Sequence, residues 1–339
     1  MSNLPKIGLD LGSASIKIVE LVPDGKDKWK LLTAASMAAV GSVIDSKISL
    51  NTVAANLAKL LKEAGVRSRQ VVAAIPEEQI SSHVVTMPIM SDAEVEQALS
   101  WQVEQYIPIP RDQAIWSYET VRRDEVAGEI EVMLVAVPKN VADWYKQVLE
   151  LAGLEPLALE TELTATARAV VPANVPLSVV VDIGSRGTDI GIVKNGRLIF
   201  SRVVPTAGEA FTRAIESTLG LEPAVAEQYK NTYGFSGGQL EGKLLEAMKP
   251  VLNLIATEIR KTMDFYVSKH AGEVVKMVTL SGGVAAMPEV VAVLSTLLGV
   301  EVVIANPFSA VRLDESQKKA LAGNEPFYAV AVGLSMKGV

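Results

Sequence analysis

Ile7-Gly8-Leu9-Asp10-Leu11-Gly12-Ser13, followed by Ala14-Ser15 and then Ile16-Lys17-Ile18-Val19-Glu20-Leu21, decides the fold because it has a counterpart later in the chain. That counterpart is Val179-Val180-Val181-Asp182-Ile183-Gly184-Ser185, followed by Arg186-Gly187 and Thr188-Asp189-Ile190-Gly191-Ile192-Val193. Both copies read as a buried strand ending in Asp, a tight Gly-Ser turn and a returning strand. The first continues through Pro23-Asp24-Gly25 into Trp29-Lys30-Leu31-Leu32. The second passes through Asn195-Gly196, a type I′ hairpin signal, into Arg197–Val203. Each half of the chain thus opens with a three-stranded meander. A separation of about half the chain between the two aspartates points to duplicated α/β domains facing one another.

The turns carry the chemistry. Glycine lets backbone approach a phosphate and offer N–H donors, because no side chain stands in the way. Gly12, Ser13, Ala14 and Ser15 form one candidate phosphate turn; Gly184, Ser185, Gly187 and Thr188 form the other, with hydroxyls as further donors. An Asp at each strand end, Asp10 or Asp182, can face a hydrated Mg²⁺, which prefers oxygen ligands and keeps several waters. A turn-forming Asp is the plainer alternative. Lys17 is placed to reach phosphate oxygens, although an exposed strand lysine is common. A third glycine turn, Ser281-Gly282-Gly283-Val284, follows the strand Val278-Thr279-Leu280. It suits a flat ring or a ribose, and equally an ordinary strand–helix connector.

Composition narrows the classes. The 339 residues suffice for about two domains. With 49% hydrophobic and 21% charged residues the chain is globular, and a net charge of −7 argues against non-specific nucleic-acid binding. The chain has no cysteine, which excludes disulfides, thiolate catalysis and Cys-ligated zinc. Its two histidines, His83 and His270, lie far apart, against a His-based metal site. The opening MSNLPKIGLDLG lacks a secretory pattern, and no apolar run is long enough to span a bilayer. A soluble, cytoplasmic protein that can still dock on something membrane-bound is the expectation.

At the three glycine sites the sequence resembles the actin, Hsp70 and FtsA superfamily. IGLDLGSASIK is similar to its first phosphate motif, VVVDIGSRGTDI to its second and VTLSGGVAAMP to its adenosine motif; LALETELTATARA and FYAVAVGLSM are similar to the two connecting helices beneath the cleft. The resemblance implies an actin-like (ribonuclease H-like) duplicated α/β fold with a nucleotide cleft and an inserted FtsA-like subdomain. Within the superfamily ALSWQVEQYIPIP, LVAVPKNVADWYKQVLELAGLEPLALE, FSRVVPTAGEAFTRAI and IATEIRKTMDFY resemble the PilM family of type IV pilus assembly. That likeness implies ATP and Mg²⁺ as cofactors. It implies the N-terminal peptide of a PilN-like membrane protein as partner, gripped in a groove beside the insert, with other pilus platform proteins and motor ATPases nearby. Glu227 and Lys230 sit where the superfamily contacts ribose and base, though their spacing also suits a surface pair. Ala207-Gly208 departs from the usual Gly-Gly, so its backbone contact requires a negative φ at Ala207.

The chain divides, on this reading, into a first subdomain (residues 1–80 and 155–177), an insert (81–154), a second subdomain (178–210 and 274–339) and a small helical subdomain (211–273). Helices are expected over Thr52–Ala64, Ser91–Gln105, Asn140–Ala152, Phe211–Leu219, Pro223–Thr232, Val251–Lys269 and Pro288–Leu298. Trp101 and Tyr106 are expected to pack the insert. The run Tyr106–Pro110 either presents an extended edge to a partner or simply stops a helix. Glu160 and Glu162 are candidate catalytic carboxylates, able to orient an attacking water, or else helix-start carboxylates favoured by the dipole. Three functions compete: a nucleotide-dependent assembly adaptor, at most a slow ATPase; a small-molecule kinase, for which no second pocket motif is found; and a filament-forming tether, which needs an amphipathic C-terminal helix not seen in the closing Ser335–Val339.

Overall fold

A computed structural model describes residues 4–39, 49–172, 174–270 and 272–338; Val339 of the closing stretch lies outside them. The strands are β1 (Lys6–Leu11), β2 (Ser15–Pro23), β3 (Trp29–Ala38), β4 (Gln70–Ile75), β5 (Ser81–Pro88), β6 (Ala114–Asp124), β7 (Glu129–Pro138), β8 (Glu155–Thr161), β9 (Leu177–Ile183), β10 (Thr188–Lys194), β11 (Arg197–Val204), β12 (Met277–Ser281), β13 (Glu301–Ile304) and β14 (Val311–Arg312). The helices are α1 (Leu50–Glu63), α2 (Asp92–Tyr106), α3 (Lys139–Leu151), α4 (Glu162–Val170), α5 (Gly208–Leu219), α6 (Pro223–Tyr233), α7 (Lys243–Lys269), α8 (Val290–Leu298), α9 (Glu315–Leu321) and α10 (Ala329–Ser335).

The duplication is visible in the sheets. One runs β14-β3-β2-β1-β4-β8 and another β11-β10-β9-β12-β13. In both, an antiparallel meander leads through its first strand to two parallel strands. Asn195 and Gly196 have φ of 50° and 76°, as a type I′ turn demands. Aligned apolar runs such as Ile7, Leu9 and Leu11, or Val179, Val181 and Ile183, bury completely or nearly so and anchor separate cores. The third sheet, β5-β7-β6, is covered by α2, which opens with a Ser91–Glu94 capping box and buries Val95, Leu99 and Val103.

The two connecting helices exchange sides. α10 follows the second sheet in sequence yet packs on β1, β2 and β4 of the first. From α4, which follows the first sheet, Leu163, Ala167 and Val171 pack with Val180, Val193 and Leu198 of the second. The helices touch each other under the cleft, where Ala165 meets Val330 and Leu334. Because each helix contributes apolar surface to the opposite half, the exchange ties the two halves together.

Several expectations change. Residues 274–339 were assigned to the second half, but Val311–Arg312 pair with Trp29–Lys30, and Phe308, Val311 and Leu321 share a core with Val19, Leu21 and Leu31. α3 was placed in the insert, but Ala142, Tyr145, Val148 and Leu149 pack with Ile7, Leu9 and Leu57. α7 begins eight residues before Val251 and tolerates Pro250, because Leu244, Ala247 and Met248 bury in the second core. α8 starts after Pro288, whose carbonyl accepts Phe235 N–H at 2.9 Å. Trp101 does not pack: it is 77% exposed, since α2 turns Leu99 and Val103 inward and position 101 falls on the far side. The Tyr106–Pro110 run closes the insert's core, with Ile107 buried, Ile109 packed and the Tyr106 ring 5.4 Å from His83.

Candidate functional site

Between the halves lies a cleft of about 760 Å³, in the range of small-molecule sites. Every residue singled out above as a site candidate lines it except Glu160 and Thr188. The meander register explains the convergence. Residues opposite one another on antiparallel strands share a face. Asp10 lies opposite Lys17, and Asp182 opposite Asp189. Both pairs stand at the cleft end of their hairpins.

Lys17 Nζ contacts Asp10 Oδ2 at 2.7 Å and lies 4.5 Å from the centre of the Phe327 ring. Burial alone would lower the Lys17 pKa; Asp10, with Asp182 and Glu162 farther out, outweighs it and raises the value. The other Asp10 oxygen is buried and unpartnered. An orphaned carboxylate oxygen on a residue that lines the cleft fits a hydrated Mg²⁺. Among the described residues no three acidic or histidine side chains form a metal cage, so phosphates and water would have to supply the remaining ligands.

The floor carries more carboxylates than the sequence candidates. Glu77, on the turn after β4, is 4% exposed. Its side chain accepts Leu163 N–H at 3.0 Å, and its own N–H donates to Glu162 Oε2 at 3.4 Å. Burial pushes Glu77 up to about 7 and Asp182 to about 6. Burial also raises Glu162 and Asp189 well above the carboxylate range, with the neighbouring acids adding to it. Negative charge on these carboxylates is therefore disfavoured, and a cation facing them would relieve it. Since native Glu77 binds its proton more tightly than the unfolded chain does, stability from this group is full below about pH 4.5 and is lost as pH rises through about 7. Glu77→Gln, which keeps an acceptor for Leu163, is expected to melt several degrees higher than wild type at pH 8 and equally at pH 4.5. Parallel melting curves across that window check it; an offset independent of pH would contradict the assignment.

The two glycine turns differ in how they are braced. Gly184 N–H donates to Gly187 O at 3.0 Å, while Gly208 and Glu209 N–H donate to Gly184 O and Ser185 O at 3.1 and 2.8 Å. Among the described residues no other backbone group engages the N–H groups of Ser13, Ala14, Ser185 and Arg186. Thr188 is completely buried and its hydroxyl donates to Thr206 O at 2.7 Å, so it braces the hairpin from behind. Ala207 has a φ of −162°, extended backbone that any residue adopts, which resolves the departure from Gly-Gly.

Beside the second turn Gly282 has a φ of 85°, and a Cβ there would sit 2.4 Å from Ile183 O and 2.7 Å from Asp182 Oδ1. Only glycine fits. Lys230 is 5% exposed and its ammonium bonds Gly208 O, Thr212 Oγ1 and Glu227 Oε2 at 3.1, 2.9 and 2.6 Å. All three donors are spent inside the protein, so Lys230 clamps α6 to α5 rather than offering a free cation. Burial would lift Glu227, but Lys230 and Thr212 outweigh it and hold it low; its second oxygen accepts from Asn231 at 3.1 Å. Glu160 lies away from the cleft. It is gripped by both Arg168 nitrogens at 2.8 and 2.5 Å and by Lys337 at 2.7 Å, which overcome the upward push of burial. That network ties β8 to the two connecting helices, leaving Glu162 as the cleft carboxylate of the pair.

Glu77, Asp189, Arg186, Glu209, Asn231, Asn324 and Phe327 line the cleft without having been singled out. For Asp189 a signal existed: in the repeated hairpin it occupies the place that Lys17 holds in the first copy. For Glu77 and Phe327 there was none, since only packing brings those turns to the cleft.

The description "Type IV pilus assembly protein PilM" matches residues 8–339. The chain belongs to the PilM family. Along 99% of its length this PilM-family chain is similar to a chain in the solved structure of a "PilM-PilN type IV pilus biogenesis complex", with a TM-score of 0.83 and 26% identity over 98% of that chain. It is also 27% identical over 263 residues to the cell division protein FtsA of Escherichia coli K12, covering 67% of this chain and 60% of FtsA. The chain thus spans about three fifths of the curated relative. MreB5 of Spiroplasma citri, solved with AMPPNP, shares the fold with a TM-score of 0.54 at 13% identity, over 98% of this chain and 95% of that one. Membership in the actin-like superfamily follows. Among the described residues no helix is long and apolar enough to cross a membrane.

Proposed function

We propose that the chain is an ATP-binding adaptor of type IV pilus assembly. It holds Mg-ATP between the two glycine hairpins and grips the cytoplasmic N-terminal tail of a PilN-like membrane protein, which would keep it peripheral at the inner membrane among platform proteins and motor ATPases. The observation that carries the reading is the near-complete likeness to a chain solved in a PilM–PilN complex. The cleft supports the nucleotide part: two turns with N–H groups that no described backbone group engages, an unpartnered Asp10 oxygen and a glycine-only position at Gly282. An extended peptide held beside the insert would gain backbone hydrogen bonds, while a few apolar pockets set specificity.

Melting curves with and without Mg-ATP test the nucleotide. A ligand at 100 times its Kd adds about 2.7 kcal/mol, a shift of several degrees; no shift at millimolar Mg-ATP would overturn this half of the reading. Calorimetric titration with a PilN-like N-terminal peptide tests the partner, and hydrogen exchange of the complex locates it. Protection is expected in β5, α2 and the first sheet. Protection confined to residues 178–338 would move the site, and no binding by the ATP-loaded chain would favour a kinase or filament role.

A further inference from the structure

At the mouth of the cleft the second hairpin carries a cation that the two glycine turns themselves do not require. Arg186 stands at the tip of the Gly184–Gly187 turn and lines the cavity, as does Glu209 in the first turn of α5. Arg186 Nε lies 3.3 Å from Glu209 Oε1, and the Ser185 hydroxyl donates to the same oxygen at 3.1 Å. The second Glu209 oxygen faces Arg213, one helical turn along α5, at 3.6 Å. Glu209 is therefore shared between an arginine that faces the cleft and one that does not.

This arrangement is out of balance with the site it borders. Glu209 places a negative charge where a phosphate chain has to enter, and it occupies the two side-chain donors, from Ser185 and Arg186, that such a chain would use. Both side chains are about half exposed, 49% for Arg186 and 44% for Glu209. An ion pair so exposed is weak and cheaply exchanged. A phosphate, with more charge and a geometry that matches the guanidinium fork, is the better partner. When it arrives, Glu209 keeps Arg213 and is not left uncompensated.

Resting on the ATP-binding reading above, we propose that Arg186 is a phosphate-chain ligand held in reserve by Glu209, and that nucleotide entry passes Arg186 and the Ser185 hydroxyl from the Glu209 carboxylate to the phosphates. Glu209 then acts as a gate: it opposes the phosphate chain until its partner is taken away, and it swings towards Arg213.

The test is equilibrium binding of Mg-ATP, Mg-ADP, AMP and adenosine by calorimetry, on the full chain and on Arg186→Gln, Arg186→Lys and Glu209→Gln, with melting curves confirming that each variant is folded. Arg186→Gln is expected to weaken ATP about 10-fold or more, as for a charge-assisted hydrogen bond, to weaken ADP less, and to leave adenosine unchanged. Arg186→Lys should recover part of the loss. Glu209→Gln, which keeps an acceptor for Ser185, should bind ATP several-fold tighter than wild type. Opposite signs for the two glutamine variants are the signature. If the pair merely braces the hairpin against α5, both variants weaken all four ligands alike, and the inference falls while ATP binding stands. If wild type and variants all fail to bind ATP, the nucleotide reading falls with it.

Discussion

Gly333→Ala is expected to leave little folded protein. A Cβ at Gly333 would lie 1.8 Å from Ala165 O and 2.4 Å from Ala165 C, both backbone atoms of the partner helix α4. Overpacking a core typically costs about 1–3 kcal/mol when side chains can shift. Here the obstacle is backbone at the crossing of α4 and α10, so the helices must separate, and a loss above about 4 kcal/mol is expected. A stability of 5–15 kcal/mol overall leaves little margin. Gly8→Ala should act the same way from the sheet side, since its Cβ would meet Ala331 O at 1.9 Å. Gly237→Ala, in open space with no unusual φ, is the control. Urea unfolding of the three variants checks this; a midpoint for Gly333→Ala within error of wild type would show that the helices do not cross as closely as described.

Lys17→Met is the second large effect. Lys17 is the cation on a floor that also holds Asp10, Glu77, Glu162, Asp182 and Asp189. Its removal leaves Asp10, 2% exposed, with neither oxygen paired. Breaking a buried ion pair by deleting one partner costs about 3–5 kcal/mol, most of it the stranded charge. The loss should be greatest at pH 8. It should shrink towards pH 5, where Glu77, near 7, and Asp182, near 6, are protonated and repel less. Adding Asp10→Asn to Lys17→Met should return much of the stability. Chemical denaturation of the single and double variants at both pH values is the measurement. A single-variant loss that the second substitution does not relieve would place the cost in lost packing against Phe327 instead.

Much of this architecture is local and therefore legible. The Asp-Gly-Ser hairpins follow from strand periodicity, from glycine at turns and from Asn195-Gly196, all read over a few residues. The Ser91–Glu94 capping box and the apolar face of α1 are of the same kind, and so are the glycine turns flanked by Asp10, Lys17 and Asp182. Misreadings arose where a side chain's role depends on what lies opposite. Trp101 faces away because its neighbours at positions 99 and 103 hold the core. Glu160 is expected in the cleft, but Arg168 and Lys337 hold it away from there. Lys230 does line the cleft, with its donors taken up by Gly208, Thr212 and Glu227.

By itself the sequence determined that the protein is a duplicated α/β chain with two Asp-Gly-Ser hairpin turns, and that their motifs come in an order shared with a known superfamily. Those are properties of short stretches and of their repetition, set by backbone sterics and burial periodicity. Tertiary structure alone decided that α4 and α10 exchange halves, that Glu77 and Asp189 crowd the floor beside Glu162, and that Arg186 is paired with Glu209 at the mouth. Each of these joins residues distant along the chain. Their energetics are those of desolvated charge and backbone contact, which depend on distances that no spacing in the sequence encodes.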